Sequence, residues 1–206
     1  LGAHLDVSAP EGRMVVDIGG GTTDIGVITM NGVAISSSIK VAGTQFDEVI
    51  IKYVRKRFGV IIGANTAEEI KLSIGCVSPR PASLTMTAKG RDVKSGLAHE
   101  FTVTSEEIME VLRRPARQIA DRVLDVLEQT TPELVADISK NGILLTGGGS
   151  QLWGMDQVLR DRTEMNCVVA DDADSCVAYG CGKSLGWMNH MQEGTINISR
   201  RRLLKE

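Results

Sequence analysis

Asp17-Ile18-Gly19-Gly20-Gly21-Thr22-Thr23-Asp24 is the stretch that decides how this chain folds. Met14-Val15-Val16 leads into it and Ile25-Gly26-Val27-Ile28-Thr29-Met30 leaves it. Two short apolar runs joined by a tight glycine-rich connection predict a pair of antiparallel strands. Three consecutive glycines open backbone geometries closed to other residues and let main-chain amides come close to an anion. Thr22 and Thr23 add hydroxyl donors for phosphate oxygens or for an attacking water. Asp17, at the strand end, can hold Mg²⁺ through water, because that ion keeps much of its hydration and takes few carboxylates. The bland alternative is a glycine-rich hairpin with no ligand; the flanking acids speak against it. The loop is not a P-loop, since no GxxxxGK[ST] occurs and its glycines join two strands rather than a strand and a helix.

Outward from the loop, Asn31-Gly32 separates the second run from Val33-Ala34-Ile35, a strong hairpin signal that predicts three antiparallel strands in succession. Gly43 to Phe58 changes to helical spacing, with Phe46, Val49, Ile50, Tyr53 and Val54 on one face and Asp47, Lys52, Arg55 and Lys56 on the other. Gly59 should stop that helix. Thr66-Ala67-Glu68-Glu69 has the capping-box pattern and predicts a short helix to about Gly75. Pro79 and Pro81, alternation through Leu84, Met86 and Ala88, and then Phe101 and Val103 describe a small β-rich piece.

Thr104-Ser105-Glu106-Glu107 repeats the capping box. It opens a long amphipathic helix whose apolar positions are Ile108, Val111, Leu112, Ile119, Val123, Val126 and Leu127. Pro115 should kink it or mark a join. Ile143-Leu144-Leu145 reads as a buried strand ending in Thr146-Gly147-Gly148-Gly149-Ser150. A helix follows to about Arg162, then a strand at Val168-Val169-Ala170 and a last helix from Ala173 to about Met188. Three antiparallel strands followed by alternating helices and strands predict an α/β, ribonuclease-H-like fold. Residues 1–59 and 105–206 form its main body, and 60–104 is a small inserted α+β subdomain.

Two further groups carry chemistry. Thr146 to Ser150 joins a strand to a helix, where glycines expose helix amides that favour an anion and let a nucleobase lie against flat backbone. A tight strand-to-helix turn is the plain alternative, but two such loops on one α/β scaffold can face one crevice. Glu68 and Lys71, three apart on a helix, project from the same face. They could hydrogen-bond a ribose or be an ordinary surface ion pair.

Bulk properties set the outer limits. The 206 residues are 42% hydrophobic and 24% charged, enough to build a core without staples. A formal net charge of −3 gives no reason to expect a nucleic-acid partner. No apolar run approaches the length of a membrane span, and the start lacks a signal-peptide pattern, so the residues read as cytoplasmic. Cys76, Cys167, Cys176 and Cys181 include no CxxC pair and read as small apolar side chains in a reducing compartment. His4, His99 and His190 share no ligand-like spacing, and the basic tail Ser199-Arg200-Arg201-Arg202 reads as a solvated end.

At these residues the chain resembles the bacterial actin homologues MreB and Mbl over nearly its whole length. Asp17–Asp24 looks like the family's second phosphate loop, and Gly43-Thr44-Gln45-Phe46-Asp47-Glu48 with Tyr53-Val54-Arg55 like its next helix. Ile62-Gly63 through Thr66-Ala67-Glu68-Glu69-Ile70-Lys71 resembles the nucleotide-contacting helix. Pro132-Glu133-Leu134, Asp137-Ile138 and Leu145-Thr146-Gly147-Gly148-Gly149 also follow the family. Hsp70-type chaperones, sugar kinases and FtsA share glycine loops of this kind, but the stretch from Phe46 to Lys71 separates MreB from them.

The resemblance implies an actin-like ATPase that binds ATP or ADP with Mg²⁺ and self-associates into filaments. It implies a place on the inner face of the cytoplasmic membrane and guidance of cell-wall synthesis in rod-shaped bacteria, with RodZ, MreC and MreD as partners. It puts Gly19, Gly20, Gly21 and Thr22 at the phosphates, Glu68, Glu69, Ile70 and Lys71 near the nucleoside, and Gly147, Gly148, Gly149 and Ser150 beside the purine. Thr22 and Thr23 are the candidates for positioning the hydrolytic water, with Asp17 for the metal. Asp24 stands where many family members carry glutamate, so the acid is kept. The family's first phosphate hairpin, the water-positioning carboxylate of its connecting helix and its amphipathic membrane segment are absent from these residues. Leu1 to Val7 resembles the end of a preceding domain. These residues alone are therefore expected to bind ATP weakly and to turn it over poorly, because phosphoryl transfer needs positioning from both walls of the cleft. An Hsp70-type ATPase half and an actin-like interaction domain without catalysis are the alternatives.

Overall fold

The structure is a computed structural model that describes residues 2–187. The expected helix end at Met188, His190 and the basic tail, like Leu1, lie outside the described residues. Strands β1 (Arg13–Ile18), β2 (Thr23–Thr29) and β3 (Gly32–Ile39) pair antiparallel in succession. The β1–β2 connection is the glycine loop. The second hairpin turns one residue earlier than the Asn-Gly signal suggested. Met30 and Asn31 take the two left-handed positions, at φ 46° and 61°, and Gly32 already opens β3. Both turn amides are held by the N-terminal segment, Met30 donating to the Ala9 carbonyl and Asn31 to that of Val7. A local propensity is thereby overridden by a contact between distant residues.

α1 (Gly43–Phe58) buries Phe46, Ile50 and Val54 and ends where Gly59, at φ 68°, donates its N–H to the Arg55 carbonyl. β4 (Val60–Ile61), β5 (Thr85–Asp92) and β6 (Ala98–Thr104) make a second, antiparallel sheet, flanked by α2 (Ala64–Ile74). The capping box expected at Thr66 is not formed. α2 is capped by Gly63, without a side-chain cap, and Thr66 falls inside its first turn. The identical pattern at Thr104 is used in full. Glu107 N–H donates to Thr104 Oγ1 at 3.2 Å, and Thr104 N–H donates to Glu107 Oε2 at 2.9 Å. Thr104→Ala should therefore cost about 1 kcal/mol, and Thr66→Ala less than about 0.5 kcal/mol. Thermal melts of the two variants measure this directly, and an equal loss in both would contradict the geometry.

α3 (Ser105–Gln129) runs for 25 residues without a break at the buried Pro115, so the proline marks no join. α4 (Pro132–Asn141) is a helix that the hydrophobic pattern did not separate from α3, although Pro132 at its start and Glu133 in its first turn are ordinary N-terminal signals. β7 (Ile143–Thr146) then pairs parallel with β1, and β8 (Cys167–Val169) pairs parallel with β7. α5 (Met155–Thr163) lies between those two strands in sequence, and α6 (Cys176–Trp187) closes the described chain. The sheet order β3-β2-β1-β7-β8 is the ribonuclease-H-like arrangement implied by the order of elements. One continuous core joins both sheets, from Met14 and Val16 on β1, through Ile70, Ile108 and Leu112, to Phe101 and Val103 on β6. Cys76, Cys167 and Cys176 are buried, and burial pushes the Cys167 thiol up to about 11, where it is inert at neutral pH.

Candidate functional site

The register of β1 against β7 creates the site. Asp17 pairs with Thr146, so the two glycine loops leave adjacent parallel strands side by side. Ligands in open α/β sheets bind outside the carboxyl ends of such strands. Thr146 Oγ1 donates to Asp17 Oδ1 at 2.9 Å, tying the two strand ends together. Gly147 follows at φ 81°, and a side-chain carbon there would stand 2.3 Å from the Ile18 carbonyl oxygen and 2.7 Å from Asp17 Oδ1. Only glycine fits.

The first loop is held from behind by α1. Gly19 N–H donates to the Thr22 carbonyl at 3.0 Å, while Gly43 and Thr44 donate to the carbonyls of Gly19 and Gly20 at 3.0 and 2.8 Å. The first amides of α1 are thus bonded to the loop and fix its path. Gly20 and Gly21 remain exposed, and a side-chain carbon at either would meet nothing in the protein.

A cleft of about 290 Å³ is lined by Gly19 and Gly20 of the first loop, by Gly43 and Phe46 of α1, by Glu68, Lys71, Leu72 and Gly75 on and just after α2, and by Arg80, Gly148, Gly149, Gln151, Leu152 and Trp153. Lys71 is 12% exposed; its Nζ lies 2.9 Å from Asp47 Oδ1 and 3.1 Å from Oδ2, and 3.9 Å from Glu68 Oε1. Burial raises the Asp47 carboxyl above its ordinary range, against the hydrogen bond and charge of Lys71, which lower it. In the same lining the Arg80 guanidinium sits 4.9 Å above the Trp153 ring and donates to the Gly75 carbonyl at 2.9 Å. The Val77 N–H donates to the Trp153 carbonyl at 2.9 Å, closing the second sheet's connecting segment onto the main body.

Of the residues expected in the site, Gly19, Gly20, Glu68, Lys71, Gly148 and Gly149 line this cleft together. Gly21 and Thr22 are exposed at the loop, where the Thr22 hydroxyl donates to Asp24 Oδ2 at 2.9 Å. Asp17 is half-buried against Thr146, Gly147 forms the junction beneath the cleft, and Glu69 is exposed beside Glu68 without lining it.

Three expectations need correction. Thr23 is fully buried, with its hydroxyl donated to the Val41 carbonyl at 2.7 Å, because β2 alternation turns it inward; it holds the fold and cannot meet a phosphate. Ile70 is fully buried in the shared core, since it lies on the face of α2 opposite the cleft. Ser150 is 1% exposed and donates its hydroxyl to the Gly147 carbonyl at 2.7 Å. The second loop also presents no α-helix N-terminus, because Gly148–Gln151 form a four-residue 3₁₀ turn and α5 starts only at Met155. What it presents to the cleft is Gly148 and Gly149.

Sequence reasoning put Asp47 on a solvated face, and missed Arg80 and Trp153 as cleft residues. The Asp47–Lys71 and Arg80–Trp153 contacts join residues far apart in the chain, so no local spacing announces them. Trp153, one of two tryptophans and three residues past the second glycine loop, was the one available hint.

For Mg²⁺, Asp17 offers one carboxylate with one oxygen already accepting from Thr146. Among the described residues no group of three or more acidic, histidine or cysteine side chains stands in ligand reach of one point. That donor set suits a largely hydrated ion shared with phosphates rather than a protein cage.

The chain is similar to several known proteins. The family profile described as "MreB/Mbl protein" matches residues 1–193. The cell shape-determining protein MreB of Escherichia coli is 47% identical over 185 residues, 90% of this chain and 53% of that protein. The cell shape-determining protein Mbl of Bacillus subtilis is 43% identical over 197 residues, 96% of this chain and 59% of that protein. The crystal structure of MreB5 of Spiroplasma citri bound to ADP superposes with a TM-score of 0.88 at 38% identity, over 93% of this chain and 59% of that one. The chain therefore spans a little over half the length of the relatives it matches.

Proposed function

Because this chain belongs to the MreB/Mbl family, we propose that it supplies one wall of the nucleotide cleft of an ATP-binding, filament-forming bacterial actin. The observation that carries this is the pairing of Asp17 with Thr146, which brings both glycine loops to one cleft beside the cation of Lys71. In this reading the phosphates lie along Gly19, Gly20, Gly21 and Thr22, where bare backbone and an exposed hydroxyl are available. The nucleoside runs past Glu68 and Lys71, and the purine lies between Gly148, Gly149 and the Trp153 end. ADP in the related MreB5 structure supports an adenine nucleotide here. Asp17 would hold Mg²⁺ through water, supplying charge neutralisation to the phosphates when bound. Thr22 replaces the Thr22–Thr23 pair as the candidate for orienting the hydrolytic water, because the Thr23 hydroxyl is spent on Val41.

Residues 60–104, which contain the second sheet and α2, are the small subdomain of the actin-like design, and the rest is its main body. By family resemblance the complete protein polymerises at the inner face of the cytoplasmic membrane and guides cell-wall synthesis with RodZ, MreC and MreD. Hydrolysis needs the opposite wall of the cleft, so these residues alone bind nucleotide weakly.

Trp153 supplies the test. With Trp187 and any tryptophan outside these 206 residues replaced by Phe, Trp153 emission should change saturably on adding ATP with Mg²⁺ to the protein carrying both halves of the family fold. No response, together with no ATP-dependent filament pelleting, overturns the proposal. Gly20→Ala sharpens it, since the added carbon meets no protein atom yet lies on the phosphate end of the cleft. Its melting temperature should stay within about 2 °C of the parent, and its ATP affinity should fall about tenfold or more.

A further inference from the structure

Lys71 is one of two cations that line the cleft, with Arg80, and its position is not its own. The side chain reaches out of α2 to the first turns of α1, where Nζ meets the Gly43 carbonyl at 3.4 Å as well as the two oxygens of Asp47. Gly43 is also the residue whose N–H holds the Gly19 carbonyl of the phosphate-side loop. Asp47 sits one helical turn beyond Gly43. It is 15% exposed and does not itself line the cleft. Its partners on α2 are Lys71 and, through space, Glu68, and its first turn of helix is bonded to the glycine loop. A flexible four-carbon stem ending in a mobile ammonium would ordinarily lose considerable rotamer freedom on contacting a ligand. Here that loss is already met in the folded protein.

We propose that Asp47 is a positioning residue for nucleotide binding: it pins Lys71 to α1, so that the cleft cation and the glycine loop form one preorganised unit. Asp47 acts only through Lys71. The bound nucleotide meets a lysine whose place relative to Gly19 and Gly20 is set before binding, and affinity rises because little ordering remains to be done. The inference rests on the nucleotide reading of the cleft given above.

The test is a double-mutant cycle on ATP affinity in the protein carrying both halves of the family fold, using Asp47→Asn and Lys71→Met, with melting temperatures taken alongside. Each single variant should weaken ATP binding about tenfold, and the double variant no more than Lys71→Met alone. Asp47→Glu, which keeps the charge, should recover part of the loss. Multiplying losses in the double variant, undiminished affinity in Asp47→Asn, or no recovery with Asp47→Glu would each overturn the proposal. If Asp47→Asn does not fold, Asp47→Glu and Lys71→Arg, which keep both charges but displace them, form the same cycle with the same non-multiplying expectation. Failure of the unaltered protein to bind ATP would instead overturn the nucleotide reading, and this one with it.

Discussion

Gly147→Ala should lower stability by about 3 kcal/mol or more, which for a chain of this size is a fall in melting temperature of about 6–12 °C. Two costs combine. At φ 81° and ψ 154° the backbone lies in a region that side chains other than glycine's rarely enter, and the new carbon would have to displace the Ile18 carbonyl 2.3 Å away. That carbonyl belongs to the end of β1, so relief of the clash must push the first glycine loop off the second. Nucleotide binding should fall with stability. Gly148→Ala is the control, since a side-chain carbon at Gly148 meets nothing and its φ is ordinary. Its melting temperature should stay close to the parent's. Comparable losses in the two variants would show that the β1–β7 junction is not where the constraint lies.

Phe46→Ala should cost about 3–5 kcal/mol, measured as a lower urea midpoint with an unchanged denaturant slope. Phe46 is fully buried on α1, among the largest side chains in the core, and forms part of the cleft lining. Its removal opens a cavity beneath α1, which packs against α2, α3 and β4, and the surroundings can only partly fill it. Against a typical total of about 5–15 kcal/mol, that loss leaves the fold marginal. Phe46→Leu, which keeps most of the volume, should lose much less. A small loss in Phe46→Ala would mean that α1 can settle onto its neighbours α2 and α3, and with it the support that Gly43 and Thr44 give to the phosphate-side loop.

The two predictions draw on different kinds of information. That Phe46 is buried was legible from the helical spacing of Phe46, Ile50 and Val54. That Gly147 must be glycine was not, because a run of three glycines does not say which of them is conformationally required. Only the packing of Ile18 and Asp17 against Gly147 separates it from Gly148. The same division runs through the site. Thr22 and Thr23 look equivalent in sequence, yet strand alternation puts one hydroxyl at the surface and buries the other against Val41. Thr66 and Thr104 head the same capping pattern, but α2 starts at Ala64, after Gly63, so the box at Thr66 has no helix end to cap.

The sequence alone specified the class of fold, most of the order of strands and helices, and the two glycine loops, because hydrophobic periodicity and glycine act over a few neighbouring residues. It missed α4 as a separate helix, since α3 and α4 are divided only by Thr130 and Thr131. Tertiary structure decided which atoms of those loops are free. It bonded the amides of α1 to the loop, turned Thr23, Ile70 and Ser150 inward, and set Lys71 on Asp47 and Arg80 on Trp153. Each of these depends on residues brought together by β1–β7 register and by packing across one shared core. Such contacts leave no trace in local spacing, because their energy comes from burial and pairing over distances that the chain closes only when it folds.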